Sequence, residues 1–188
     1  HSTHSIAATF GATAAAAALA GFNAEQATYA LSYATQQASG VPSWNRDPEH
    51  IEKAFDFGGM GARNGVFAAL IVAAGATGVR DSLTGIHSFL DAFAEHGDPA
   101  VLAAELGERY EVMHASIKKW CVGSPIQAAL DSLTFLMHEH AVAATQVRKM
   151  VVHMPDDRLH IVSNRDIPDI CLQHLLAVTL ADGTLTFA

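Results

Sequence analysis

The stretch HSTHSIAATFGATAAAAALAGF, from His1 to Phe22, decides the fold of the first half of the chain. Its segment Ile6–Phe22 is rich in alanine and other residues of high helix propensity. Side chains this small also let a second helix approach closely. The sequence therefore predicts a first helix suited to tight packing against other helices.

Helix signals continue after this stretch. Asn23 suits a helix N-cap, with Gln26 three residues later, and opens a helix over Ala24–Gly40. Asp47-Pro48 is a second start signal. We expect further helices over Glu49–Phe57, Val66–Gly75, Ile86–His96 and Val101–Leu106. The glycine-rich segment Gly58–Gly65 should bend or break the helix before it, or let another backbone come close.

From Arg109 onward the pattern changes to mixed helix and strand. Strands are predicted at Tyr110–Trp120, Val147–Pro155 and Arg158–Asn164, the last two as a hairpin, with a short strand over 184–188. Helices are predicted at Ile126–His140, after the start signal Ser124-Pro125, and at Pro168–Leu180. The predicted fold is mainly α: an all-helical domain portion over residues 1–107, then a small α/β (α+β) domain over 108–188.

Composition excludes several function classes. Half of the residues are hydrophobic and 16% are charged, which is typical of a globular protein. The net charge of −8 argues against nucleic-acid and anionic-membrane partners, although a local basic cluster can still bind a small anion. The sequence predicts no signal peptide and no membrane span. Cys121 and Cys171 are read as reduced thiols in a cytoplasmic protein.

Two histidines, His1 and His4, stand three residues apart where the first helix begins. Their spacing would allow two metal ligands on one helix face, but no third ligand follows at a diagnostic spacing. We therefore predict no metal site. A histidine that acts as acid or base, or that donates to a carboxylate, is the favoured interpretation.

Three lysines are candidates for anion binding. Lys53 lies just before the glycine-rich segment, where a backbone can come near a ligand, although a solvated helical lysine is the alternative. Lys118 and Lys119 precede the helix start at Ser124-Pro125, and free N–H groups near an ammonium suit a carboxylate. An alternating strand would turn only one of these two inward, and the residues alone leave both open.

Several catalytic motifs are missing from the chain. It has no GxGxxG after a strand, no P-loop, no GxSxG elbow and no CxxC. Nucleotide-dependent, serine-hydrolase and zinc or iron–sulfur chemistry are therefore disfavoured. Acid–base chemistry by histidine and lysine on a small anion remains.

Four segments, in order, resemble the MmgE/PrpD family, which includes 2-methylcitrate dehydratase, cis-aconitate decarboxylase and an iminodisuccinate epimerase. They are HSTHSIAATFGATAAAAALAGFNAEQ, EKAFDFGGMGARNG, IKKWCVGSPIQAALD and CLQHLLAVTLADG. The resemblance implies a cofactor-independent homodimer. It also implies a large helical domain and a smaller α/β lid, with the substrate between them.

The resemblance also implies site residues. Lys53 falls on the active-site lysine of the helical domain and Lys118 on the lid lysine, while the family histidine corresponds to His1 or His4. His174 stands where the decarboxylase-like pattern has tyrosine. We take these five as candidate catalytic residues. Arg63 and Ser124 are the candidate substrate-binding residues.

The function implied is that of a lyase, a dehydratase or decarboxylase, acting on a small di- or tricarboxylate. An epimerase or isomerase on the same scaffold, or a non-catalytic carboxylate-binding relative, is the alternative. The resemblance also implies an upstream segment with further active-site residues and additional C-terminal helices. A chain without them is expected to have little activity.

Overall fold

A computed structural model describes residues 3–49 and 51–186. The chain divides into two compact units, of which the first ends at Arg109 and the second begins at Tyr110. Each unit has its own packed helices, described separately below. The assignment of residues 1–107 and 108–188 to a helical domain and a lid stays a prediction.

The first unit is helical, as predicted. Its helices are α1 (Thr3–Leu19), α2 (Ala24–Gln37), α3 (Ile51–Ala54), α4 (Met60–Ala73) and the short α5 (Phe89–Phe93). Short 3-10 turns cover Pro42–Arg46 and Pro99–Leu102. The predicted capping box at the start of α2 is confirmed: Asn23 Oδ1 accepts from the backbone N–H of Gln26, and Gln26 Oε1 accepts from that of Asn23. The predicted helix over Ile86–His96 is shorter than expected, at Phe89–Phe93. The predicted helix over Val101–Leu106 is wrong, because a 3-10 turn over Pro99–Leu102 is followed by turns.

Helix α1 packs against α4 along a face of small residues. Ser5, Thr9 and Thr13, spaced four apart, are buried on this face. The Thr9 and Thr13 hydroxyls donate to the carbonyl oxygens of Ser5 and Thr9, both at 2.8 Å, so burial leaves neither hydroxyl without a partner. A Cβ at Gly65 would lie 2.6 Å from the Thr13 nitrogen. The absence of a side chain there allows the two backbones to come this close.

The glycine-rich segment does not break the helix. Phe55–Gly59 forms a π-helical segment between α3 and α4, so helical structure continues from Ile51 to Ala73. The expected break is therefore wrong. The backbone changes to i→i+5 hydrogen bonds over the π-helical segment, and the helix continues through the glycines. The alternative expectation, close approach of another backbone, agrees with the position of Gly61, where a Cβ would lie 3.0 Å from the Ser5 carbonyl oxygen.

The second unit is also helical in the described residues. It contains α6 (Gln127–Glu139), α7 (Asp156–Val162) and α8 (Leu172–Asp182). Helix α6 follows a 3-10 turn over Ser124–Ile126, which confirms the predicted start signal, and Gly183 ends α8 in the left-handed conformation. The core between α6, α7 and α8 consists of Val122, Ile126, Leu130, Val162, Leu172, Leu175 and Leu176.

Residues 110–186 form no β-strand, so the strand predictions there are wrong. Val147–Pro155 has an alternating pattern, but alternation yields a strand only when a neighbour supplies a hydrogen-bonding ladder. Its predicted hairpin partner is α7 instead, because Asp156 and Asp157 suit the first turn of a helix, and Val162 is buried at its end. Tyr110–Trp120 contains a 3-10 turn over Glu111–His114. The end of the predicted strand over 184–188 lies outside the described residues.

No helix among residues 3–49 and 51–186 is long and apolar enough to cross a membrane. Both cysteines, Cys121 and Cys171, are free thiols.

Candidate active site

His4 and Lys53, two of the predicted site residues, meet at one aromatic ring in the first unit. The His4 imidazole stacks on Phe57, with ring centroids 3.9 Å apart and planes inclined by 9°. Lys53 Nζ lies 5.4 Å from the centroid of the same ring. Phe57 belongs to the π-helical segment and follows Lys53 by four residues. This spacing lets side chains of one helix meet.

Trp44 completes this group, which we call the aromatic cluster: His4, Trp44, Lys53 and Phe57. The Trp44 ring meets Phe57 edge to face, with centroids 5.0 Å apart. Lys53 Nζ lies 5.5 Å from the Trp44 centroid. An ammonium over the face of an aromatic ring is attracted by the negative charge of that face. Attraction to an anion is stronger there than in open water, because the surroundings are less polarisable.

Two buried polar atoms, one in the aromatic cluster and one next to it in sequence, have no hydrogen-bond partner in the described part of the chain. They are Trp44 Nε1, a donor, and Asp56 Oδ2, an acceptor. Asp56 is only 6% exposed and belongs to the π-helical segment, between Lys53 and Phe57 in sequence. Buried polar groups normally have partners, and π-helical turns are frequent at functional sites. Both observations agree with a site in this part of the unit.

Arg63, a predicted substrate-binding residue, contacts Asn64 and Phe55. Its guanidinium donates to Asn64 Oδ1 through Nε at 3.2 Å and through Nη2 at 2.9 Å. It also lies 5.9 Å from the Phe55 ring centroid. Asn64 is joined in turn to Gln37 of α2, whose Nε2 donates to the Asn64 carbonyl oxygen at 3.1 Å. Arg63 thus contacts Asn64 of its own helix, and Asn64 contacts α2; the substrate-binding role of Arg63 stays a prediction.

In the second unit, the two adjacent lysines differ in their contacts. Lys119 Nζ donates to Asp131 Oδ1 at 2.7 Å, and Trp120 Nε1 donates to the same oxygen at 3.2 Å. The bond from Lys119 lowers the pKa of the Asp131 carboxyl below its usual value, and the bond from Trp120 lowers it further. Lys118 is exposed.

The remaining predicted residues lie in separate places. Ser124 is exposed and begins the 3-10 turn before α6. His174 is exposed in the first turn of α8, beside Gln173, whose side chain accepts from the Asn164 backbone at 2.9 Å. His1 lies outside the described residues, so of the two candidate histidines only His4 has a described position. Their catalytic and binding roles stay predictions.

Sequence reasoning missed Trp44, Phe57, Gln127 and Asp131. The spacing of Lys53 and Phe57 was a usable signal, since residues four apart on a helix can meet. The position of Trp44 depends on a tertiary contact and has no comparable local signal. Among residues 3–49 and 51–186, no three His, Cys, Asp or Glu side chains come together in a way that could hold a metal ion.

Comparison with known families adds to this geometry. The family model described as the MmgE/PrpD N-terminal domain matches residues 1–102, which include all of the aromatic cluster. No curated protein matches the chain. Since the matched residues make up more than half of the 188-residue sequence, the chain belongs to the MmgE/PrpD family.

Proposed function

We propose that the protein is a cofactor-independent lyase that acts on a small di- or tricarboxylate. The observation that carries the proposal is the aromatic cluster, in which the Lys53 ammonium and the His4 imidazole share the Phe57 ring. Family membership supports it, since the family includes dehydratases. A fixed cation beside a group that can accept and return a proton suits carbanion chemistry next to a carboxylate.

In the proposed reaction, a C–H bond next to a carboxylate breaks and its proton passes to a basic side chain, for which His4 is the candidate. The electron pair left behind is shared with the carboxylate, which gains negative charge. Hydroxide then leaves from the neighbouring carbon and takes up a proton, so that water and an alkene form. In the decarboxylation variant, the C–C bond to a carboxylate breaks, carbon dioxide leaves, and the carbanion takes up a proton. Lys53 would stabilise the growing charge in both cases.

Lys118 is proposed as the second cation of the site, as the resemblance implies. The second unit would then correspond to the lid of the family. Arg63 and Ser124 would bind the substrate, and His174 would be a further catalytic residue. Two ammonium groups would suit a substrate with two or more carboxylates, because each cation can bind one of them.

We also propose a homodimer. Helix α4 supports it with an exposed apolar face: Val66, Phe67 and Leu70 are 46%, 54% and 60% exposed. Leu70 lies four residues after Val66 and three after Phe67, so it is a neighbour of both on the helix surface. Light scattering should give twice the chain mass of 19.9 kDa, and Leu70→Glu should reduce it to the monomer value. A monomeric wild type at all concentrations would contradict the dimer.

The test of the proposed function is product analysis with a panel of di- and tricarboxylic acids. The assay uses the complete enzyme, since the resemblance implies family segments on both sides of this chain. Alkene formation or carbon dioxide release by the metal-stripped protein is the expected result. Inversion at a carbon with neither product would favour an epimerase. Binding of an acid without any conversion would contradict the lyase and favour a binding protein.

A further inference from the structure

The segment before α6 is held to that helix by two side chains of its first turns. Gln127 Oε1 accepts from the Trp120 backbone N–H at 3.0 Å, and Gln127 Nε2 donates to the carbonyl oxygens of Trp120 and Val122 at 2.9 and 3.3 Å. Asp131, one helical turn later, accepts from Lys119 and from the Trp120 indole. Since residues four apart share a helix face, both side chains act on the same segment.

The two lysines of this segment therefore have different environments. The ammonium of Lys119 is paired with a carboxylate and lies 4.9 Å from the centroid of the Trp120 ring. Lys118 is exposed and has no hydrogen bond or ion pair with any residue of 3–49 or 51–186. A paired ammonium is a poorer anion ligand, because its partner cancels much of its charge and uses one of its three donors.

We propose that Gln127 and Asp131 form a positioning clamp that turns Lys119 onto α6 and leaves Lys118 as the lysine available to an anion. The identity of the anion rests on the proposed function, whereas the different contacts of Lys118 and Lys119 do not. Asp131 has a second effect, because its charge repels an anionic ligand from the Lys119 side of the segment. Gln127 fixes the backbone, and the buried Val122 ties that backbone to the core of the unit.

The lowered pKa of Asp131 supports a clamp that works at neutral pH, since its carboxyl stays ionised well into the acidic range. Both partners are more than half exposed, with side-chain exposures of 64% for Lys119 and 52% for Asp131. An exposed ion pair adds little to folding stability. We therefore expect the clamp to determine which lysine is presented, and to have little effect on whether the unit folds.

The first test measures how fast each lysine of the chain is acetylated by a limiting amount of an N-hydroxysuccinimide ester, with mass spectrometry to separate the sites. Lys118 should react about threefold faster than Lys119, the difference expected from one exposed ion pair. Asp131→Asn should bring the ratio close to one, while the control Asp166→Asn, at another exposed aspartate, leaves it unchanged. Equal rates in the wild type, or an unchanged ratio in Asp131→Asn, would overturn the clamp.

The second test concerns Gln127. Gln127→Leu removes three hydrogen bonds, so hydrogen exchange of the Trp120 amide should be about fivefold faster. An unchanged exchange rate would overturn the role of Gln127. If the leucine variant does not fold, the acetylation ratio of Asp131→Asn still decides the proposal.

A final arm separates the clamp from the proposed function. Citrate added to the complete enzyme should protect Lys118, and not Lys119, from acetylation. No protection of Lys118, together with a wild-type preference for that lysine, would contradict the proposed function and leave the clamp standing. Protection of both lysines to the same extent would contradict the clamp.

Discussion

Gly65→Ala should destabilise the first unit by about 2 kcal/mol, because overpacking against rigid neighbours costs about 3 kcal/mol and the higher helix propensity of alanine offsets about 1 kcal/mol of this. A Cβ at this position would lie 2.5 Å from Ala12 Cβ and 2.6 Å from both the Thr9 oxygen and the Thr13 nitrogen. Two of these atoms belong to the α1 backbone and cannot rotate away. Helices α1 and α4 would have to separate. Urea unfolding followed by circular dichroism measures the change.

Gly11→Ala is the matched control. Gly11 lies inside α1, and a Cβ there would meet nothing within 4 Å. Its replacement should stabilise the unit by up to about 1 kcal/mol, the difference in helix propensity. The same substitution is thus expected to lower the free energy of unfolding at Gly65 and to raise it at Gly11. Equal effects of the two variants would show that the close packing of α1 on α4 is not what requires glycine at position 65.

Lys53→Ala should reduce turnover by the complete enzyme about a hundredfold or more, the usual loss when one donor that stabilises developing charge is removed. The reason is the position of its ammonium over Trp44 and Phe57, on the ring that also stacks with His4, where it would stabilise the growing negative charge of the substrate. We expect a loss of the same size for Lys118→Ala. Steady-state kinetics with the acid identified by product analysis measures both.

Lys149→Ala is the control for these two variants, because Lys149 is an exposed lysine outside the proposed site. It should keep wild-type turnover. Near-normal turnover by Lys53→Ala or by Lys118→Ala would remove that residue from the mechanism. A loss in Lys149→Ala equal to theirs would indicate a general effect of charge on the enzyme.

The helices of the first unit could be predicted because their signals are local. Alanine content and the capping box at Asn23 both depend on neighbouring residues. The absence of strands from residues 110–186 could not be predicted, since alternation such as that of Val147–Pro155 yields a strand only where a second strand pairs with it. The glycine-rich segment was ambiguous for a related reason. Whether glycine breaks a helix or admits a neighbour depends on whether a neighbour such as α1 is there.

The candidate site residues of the first unit came from the family resemblance, which implied Lys53 and either His1 or His4. Of these, Lys53 and His4 meet at Phe57. Phe57 itself was not among the predicted site residues. Trp44 reaches the aromatic cluster from a 3-10 turn, and only the packing of that turn brings it there. The pairing of Lys119 with Asp131 likewise spans twelve residues and depends on the fold between them.

Deuterium incorporation tests the central claim most directly, namely that Lys53 serves a reaction in which a proton next to a carboxylate is removed. The complete, metal-stripped enzyme is incubated with each di- and tricarboxylic acid in deuterated water, and exchange at carbon is followed by proton NMR. We predict exchange in at least one acid with the wild type, and exchange about a hundredfold slower with Lys53→Ala. Exchange at the same rate in both proteins, or turnover of an acid without any exchange or carbon dioxide release, would contradict the account.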